Sequence, residues 1–261
     1  MKRFAVLLSH VPRILTLPGL LLVGLPVLAA DDLPKAEQIL DKYIEISGGR
    51  AAYEKRKSEY ASGTVEIMGT GVTGTMESWA AAPNSRVDVI NVQGVGPFQQ
   101  GTNGTEAWEL SGIMGPRLKS GAELTEAIRE AQFNLPLFWR KLYSKAETVG
   151  VETVDGAECY KLTMTPTTGK PETWYFDRKT GLTTKMVRTA VTSMGEIEAE
   201  ILMQDYKLLE GVLTPMTVIQ KAGPQSVKLS LQKVQVNPTI PPGKFDPPEE
   251  IKALISKKKA A

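Results

Sequence analysis

Histidine and cysteine are almost missing from this chain, whose 261 residues hold one of each, His10 and Cys159. One cysteine excludes an internal disulfide framework and any multi-cysteine zinc site. An excess of charge of either sign is lacking too, with 31 Lys+Arg against 29 Asp+Glu. Nucleic-acid recognition draws on a concentrated basic face, so no nucleic-acid partner is expected. Long apolar runs are scarce. The run from Ile14 to Ala29 is interrupted by Pro18, Gly19, Gly24 and Pro26, and it falls short of the roughly 20 residues that span a bilayer.

That run reads instead as the apolar part of a secretory signal. Lys2 and Arg3 supply its positive start, and Val27-Leu28-Ala29 places small residues where a signal peptidase requires them. Cleavage is expected after Ala29 or Ala30, so residues 1–30 are a signal peptide and the mature chain is exported to the periplasm. No cysteine lies near the cleavage site, so a lipid anchor is not expected. Residues 1–30 carry three positive charges, no negative ones and the sole histidine, which leaves 28 Lys+Arg against 29 Asp+Glu. Without an imidazole, Ser-His-Asp and Cys-His catalysis and most catalytic zinc and non-haem iron sites are excluded. Cys159 sits in the strand-like run Glu158-Cys159-Tyr160-Lys161-Leu162 and reads as an inert structural thiol. Carboxylate chemistry, lysine chemistry or no catalysis remain. The expectation is no enzyme, no cofactor and no metal.

What is present is a short helical start followed by β patterning. Ala36, Ile39, Leu40, Tyr43 and Ile44 form one stripe at helical spacing, stopped by Ser47-Gly48-Gly49. Strand-like runs follow at 60–68, 75–82, 85–92 and 105–110. Eleven of the 23 glycines fall between Gly63 and Gly121, as hairpin turns and bulges require. Ser120-Gly121-Ala122-Glu123 has the capping-box spacing, and Leu124, Ile128 and Ala131 continue on one helical face. Pro136 then opens a very apolar segment from Leu137 to Tyr143.

Strands resume at Tyr160, Leu162 and Met164, at Trp174 and Phe176, and at 182–191, 196–203, 212–220 and 227–236. The two-fold pattern slips near Gln232-Lys233, which predicts a β-bulge. Pro238 to Ala261 is expected to be a strap, with 248–261 a flexible tail whose lysines, Lys257 to Lys259, serve solubility. About ten strands in meander order, without βαβ spacing, predict a mainly β (α+β) fold. It is one strongly curved antiparallel sheet forming an unclosed barrel, its concave face covered by the N-terminal and central helices.

The motifs are few. Gly69-Thr70-Gly71-Val72-Thr73-Gly74 fits G-x-G-x-x-G, but a strand follows it where a dinucleotide site needs a helix, so it reads as a hairpin turn. Asn103-Gly104-Thr105 reads equally as a turn or a glycosylation site. Glycoside hydrolysis needs two facing carboxylates, and Glu196, Glu198 and Glu200 alternate outward instead. The distinctive feature is apolar. Trp79, Trp108, Ile128, Phe133, Leu137, Phe138, Trp139, Leu142, Trp174 and Phe176 are the candidates for lining or covering a ligand cavity under the helices, and they would serve equally as plain core.

The ordered series of the helix Ala36–Ser47, Gly104-Thr105-Glu106-Ala107-Trp108, Asp155-Gly156 to Leu162, Trp174-Tyr175-Phe176-Asp177, Asp205-Tyr206, Glu210-Gly211-Val212 and Asn237-Pro238 to Phe245 resembles the outer-membrane lipoprotein-sorting, LolA/LolB-like, superfamily across most of residues 34–247. The resemblance implies an unclosed barrel with a helical lid over a hydrophobic cavity, and a lipid-binding domain at 31–247. It implies a monomeric carrier or sensor of lipoprotein acyl chains or other lipids, working with envelope membrane-protein partners. It carries no catalytic or metal-binding residue. The alternative is an envelope sensor or assembly partner whose core is filled by its own side chains.

Overall fold

The computed structural model describes residues 33–94, 96–192 and 195–260; the predicted signal peptide lies outside them. Leu33–Ala261 makes one unit. Helices α1 (Ala36–Ile46) and α2 (Gly49–Lys55) precede strands β1 (Ser58–Ile67), β2 (Val72–Ala81), β3 (Ser85–Val92), β4 (Gly96–Thr102), β5 (Ala107–Ser111) and β6 (Gly115–Leu118). Helix α3 (Gly121–Glu130), a 3-10 turn (Leu135–Phe138) and α4 (Trp139–Leu142) lead into β7 (Tyr143–Val154), β8 (Ala157–Pro166) and β9 (Glu172–Asp177). Then come β10 (Thr183–Thr192), β11 (Gly195–Leu209), β12 (Val212–Ala222), β13 (Gln225–Val236) and a final helix α5 (Glu249–Ala260).

All thirteen strands form one antiparallel sheet in the order β6-β5-β4-β3-β2-β1-β13-β12-β11-β10-β9-β8-β7. The chain lays six strands outward to one edge and crosses through α3 and α4 to the other. It then returns until β13 pairs with β1, leaving a sheet that is not closed into a barrel. This is the expected fold, with three strands more than the sequence pattern shows. Strands β4 and β6 contain glycine and proline, which weaken a strand signal, and β7 presents mostly polar residues.

Local chemistry sets the ends. The Gln38 side chain accepts the Lys35 N–H at 2.9 Å at the start of α1, and Gly48 ends the helix at φ 145°. A Cβ on Gly48 would lie 2.3 Å from the Gly211 carbonyl oxygen, so only glycine lets the helix end approach the β11–β12 turn. The Asp177–Gly181 loop closes β9 onto β10: the Asp177 carboxylate accepts the N–H groups of Lys179 and Thr180 at 2.8 and 2.6 Å, and Gly181 takes φ 73°. Gly69 and Gly71 both have positive φ in the β1–β2 turn, so G-x-G-x-x-G is a hairpin here. The bulge is where the pattern slips: Ser62 pairs with Lys233 but Gly63 with Leu231, which skips Gln232.

Two expectations are corrected. Ser120 makes no side-chain cap bond, and the Glu123 carboxylate accepts from Arg117 at 2.6 Å where a capping box would turn it back to the Ser120 N–H. The flexible tail is instead helix α5. Ile251, Leu254 and Ile255 recur at helical spacing and pack with Phe245, Val87 and Trp108, Ile251 being fully buried. The lysine run blunts the sequence signal, and the apolar stripe beside it decides the structure.

Candidate functional site

Strand register sorts the predicted site residues onto two faces, because cross-strand partners in an antiparallel sheet project to the same side. On one face lies the row Leu118–Trp108–Gly101–Val87–Trp79–Tyr60. The Trp108 indole lies across Gly101, where a Cβ would come within 2.6 Å of it, and α5 covers it. Trp79 stacks on Tyr60 with centroids 4.6 Å apart, and Lys244 lies 5.1 Å above its ring.

On the opposite face the row Ile67–Val227–Gln220–Ile201–Met186–Trp174–Leu162 runs from β1 to β8. A second row beside it is Val92–Gly74–Val65–Leu229–Val218–Met203. A third, shorter one is Phe98–Ile90–Met76–Gly63–Leu231. Together, with the exposed Gln220 as a polar break on β12, they make one apolar band across ten strands. This inner face is the one under α1, α4 and the 3-10 turn, since Trp174 and Phe176 pack against Ile39, Leu40, Ile44 and Trp139.

The predicted residues therefore do not meet in one place. Trp139, Trp174 and Phe176 are buried together, with Leu137 and Leu142 packed against them. Phe133 is half-buried and borders an open cleft, Ile128 is half-buried on α3, and Phe138 is 39% exposed. Trp79 and Trp108 are on the other side of the sheet. They cannot line a space shared with Trp174, because odd and even positions of one strand point apart. The band residues Ile90, Phe98, Ile201, Met203, Val218 and Leu229 are half-buried and were missed as site candidates. Their alternation is visible in the sequence, but which strands lie side by side is not.

Helix α3 crosses this face as a charged strut. At one end Glu123 takes two bonds from Arg117 at 2.6 Å, and Arg117 also reaches Glu109 at 2.6 Å. In the middle Glu126 accepts the Val191 N–H at 3.1 Å, and Glu126 and Glu130 pair with Arg188. At the far end Arg129 donates to Glu172 Oε1 at 2.6 Å and to Tyr143 Oη at 3.2 Å. Tyr143 Oη and Trp174 Nε1 each donate to Glu172 Oε2 at 3.0 Å.

Burial opposes the charge on Arg129, yet the Glu172 carboxylate outweighs it and raises the Arg129 pKa above the ordinary value. Burial, and then the Glu172 charge, push the Tyr143 hydroxyl well above its usual range. Sequence reasoning passed over these residues, although Glu123, Glu126 and Glu130 recur on one helical face and so call for cations opposite. Arg140 adds a bidentate link from α4 to Asp41 of α1 at 2.9 and 2.7 Å.

The arrangement offers little chemistry. The buried carboxylates among the described residues, Asp88 and Glu172, each face an arginine rather than each other. Cys159 is fully buried, and burial raises its thiol pKa, as an inert thiol requires.

An open thirteen-stranded antiparallel sheet, crossed on one face by helices over an apolar band, is a LolA-like fold. Solved structures share it, among them these three. A DUF1329 family protein from Desulfovibrio piger matches with a TM-score of 0.54 at 13% identity over 81% of this chain and 97% of its own. A LolA superfamily protein from Nitrosomonas europaea gives 0.54 at 12% over 82% and 99%. A domain assigned as an outer membrane lipoprotein-sorting protein from Vibrio parahaemolyticus gives 0.51 at 11% over 79% and 97%. Neither a family sequence model nor a curated protein sequence matches the chain.

Proposed function

We propose that this protein is an exported, soluble periplasmic carrier that holds a lipoprotein acyl chain or another lipid on its inner face, beneath α3. The observation that carries the reading is the apolar band, half-buried on strands β3, β4, β10, β11 and β13 and at Val218 of β12, buried at Val65 and Met76, and continuous with the buried cluster beneath α1. The likeness in fold to the lipoprotein-sorting domain supports it. Residues 1–30 serve as the export signal and leave on cleavage.

Affinity comes from apolar burial at about 0.8 kcal/mol per CH₂, so ten methylenes supply roughly 8 kcal/mol before the costs of ordering. Nothing need be catalysed. Entry and release require α3 to lift, which breaks the Arg129–Glu172 and Arg117–Glu123 pairs, and an envelope membrane-protein partner supplies the occasion for release. Native mass spectrometry of gently purified protein, followed by titration of the delipidated form with a fluorescent fatty acid, tests this. Protein that is always empty and never takes up the probe overturns it.

A second reading rests on the cluster under α1. Trp139, Trp174 and Phe176 already fill that space, as they would in an envelope sensor or assembly partner that carries no lipid. Co-purification with a partner protein and with no lipid is the outcome that favours it.

A further inference from the structure

An open cleft of about 250 Å³ lies at the end of the inner face nearest α2, bordered by Arg56 and Arg86. Glu59, Ala80 and Arg86 form one cross-strand row. Glu59 shares the parity of Val65 on β1, so the cleft opens on the same face as the apolar band. Arg56 is 6% exposed; its Nη2 pairs with Glu59 while its Nε is buried with no hydrogen-bond partner. Arg86 is engaged through Nε alone, to the two Asp88 oxygens at 3.0 and 2.9 Å.

A guanidinium carries five N–H donors in a planar fork suited to phosphate and carboxylate oxygens. These two border one cleft and each has donors left over. The acids beside them each lie against a guanidinium, Glu59 against Arg56 and Glu130 against Arg188, though Glu130 Oε1 makes no hydrogen bond. Phe133 and Leu213 complete a partly apolar wall.

We propose that this cleft binds an anionic oxygen group, phosphate or carboxylate, between Arg56 and Arg86, and that it is the headgroup subsite of the lipid whose chain lies on the band. The lipid source rests on the carrier reading; the anion site itself does not. The test compares lysophosphatidic acid, the monoacylglycerol of equal chain length, and inorganic phosphate by calorimetry. The variants are Arg86→Gln and Arg86→Lys, Arg86 being chosen because its side chain is 47% exposed and because Ser78 and Gln100 still donate to the buried Asp88 when it is replaced.

The expected result is a preference for the phosphate-bearing lipid of about tenfold or more, about 1.4 kcal/mol. It should shrink to below about threefold in Arg86→Gln and recover only partly in Arg86→Lys, which keeps the charge but loses the fork. Phosphate that binds the native protein and not Arg86→Gln, with neither lipid bound, keeps the anion site with a free anion as its source and removes the carrier reading. Equal affinity for the two lipids with no phosphate binding overturns the site and leaves the carrier reading standing. Failure of all three ligands overturns both.

Discussion

Replacing Glu172 by Gln tests whether α3 is a locked strut. Glu172 and Arg129 have side chains only 4% and 8% exposed, and three donors converge on the carboxylate: Arg129, Tyr143 and Trp174. A Gln amide turns one acceptor into a donor. Whichever way it is placed, its NH₂ faces either the Arg129 guanidinium or the Tyr143 and Trp174 donors. The Arg129 charge is left buried without a counter-charge, a change that costs about 3–5 kcal/mol. Urea unfolding followed by tryptophan fluorescence gives the loss as a lower midpoint at an unchanged slope. Hydrogen exchange should show α3 opening first, because its tether to β9 is gone. The double replacement of Arg129 and Glu172 by Met removes both charges and should be more stable than the single variant. A loss below about 1 kcal/mol, in the range of exposed ion pairs, would refute the reasoning and mean that α3 is already lifted in solution.

Three further outcomes follow from the same structure. Ile251→Ala should cost about 2–5 kcal/mol as a fully buried large-to-small change and shift tryptophan emission to the red as Trp108 gains water; unchanged emission would show α5 undocked. Ile201→Asp on the inner face should weaken fatty-acid probe binding by at least about tenfold, while Trp79→Ala on the opposite face leaves it unchanged; a loss with Trp79→Ala instead would place the ligand on the wrong side of the sheet. Arg140 holds the Asp41 pKa down, and, against their burial, Lys119 and Arg117 hold Glu109 down and the Thr180 N–H holds Asp177 down. Folded pKa values below the unfolded ones mean that the unfolded chain binds more protons as acid is added. Stability is therefore full above the ordinary values of 3.8 and 4.5 and is lost as pH falls through the lower folded values. With no histidine beyond His10, the urea midpoint of the cleaved chain should be flat between about pH 5.5 and 8; a slope there contradicts it.

The sequence by itself determined the class and most of the elements; β4, β6, β7 and α5 left too weak a local signal. Stripes at helical spacing, two-fold alternation, glycines at turns and the slip at Gln232 are local properties of neighbouring residues, so they are legible without a structure. The shortage of histidine and cysteine is likewise a property of the chain alone, and it removed most catalysis from consideration. Tertiary structure decided which residues share a face. Trp79, Trp108 and Trp174 look alike in sequence, but a strand's two faces differ only by parity, and parity becomes inside or outside only when register and covering helices are fixed. That assignment put α5 and not a cavity over Trp108, and it joined Ile90, Val218 and Met203 from distant strands into one band. It also set Arg129 against Glu172, 43 residues apart, a pairing with no local signal because the strand order that brings them together is a property of the whole sheet.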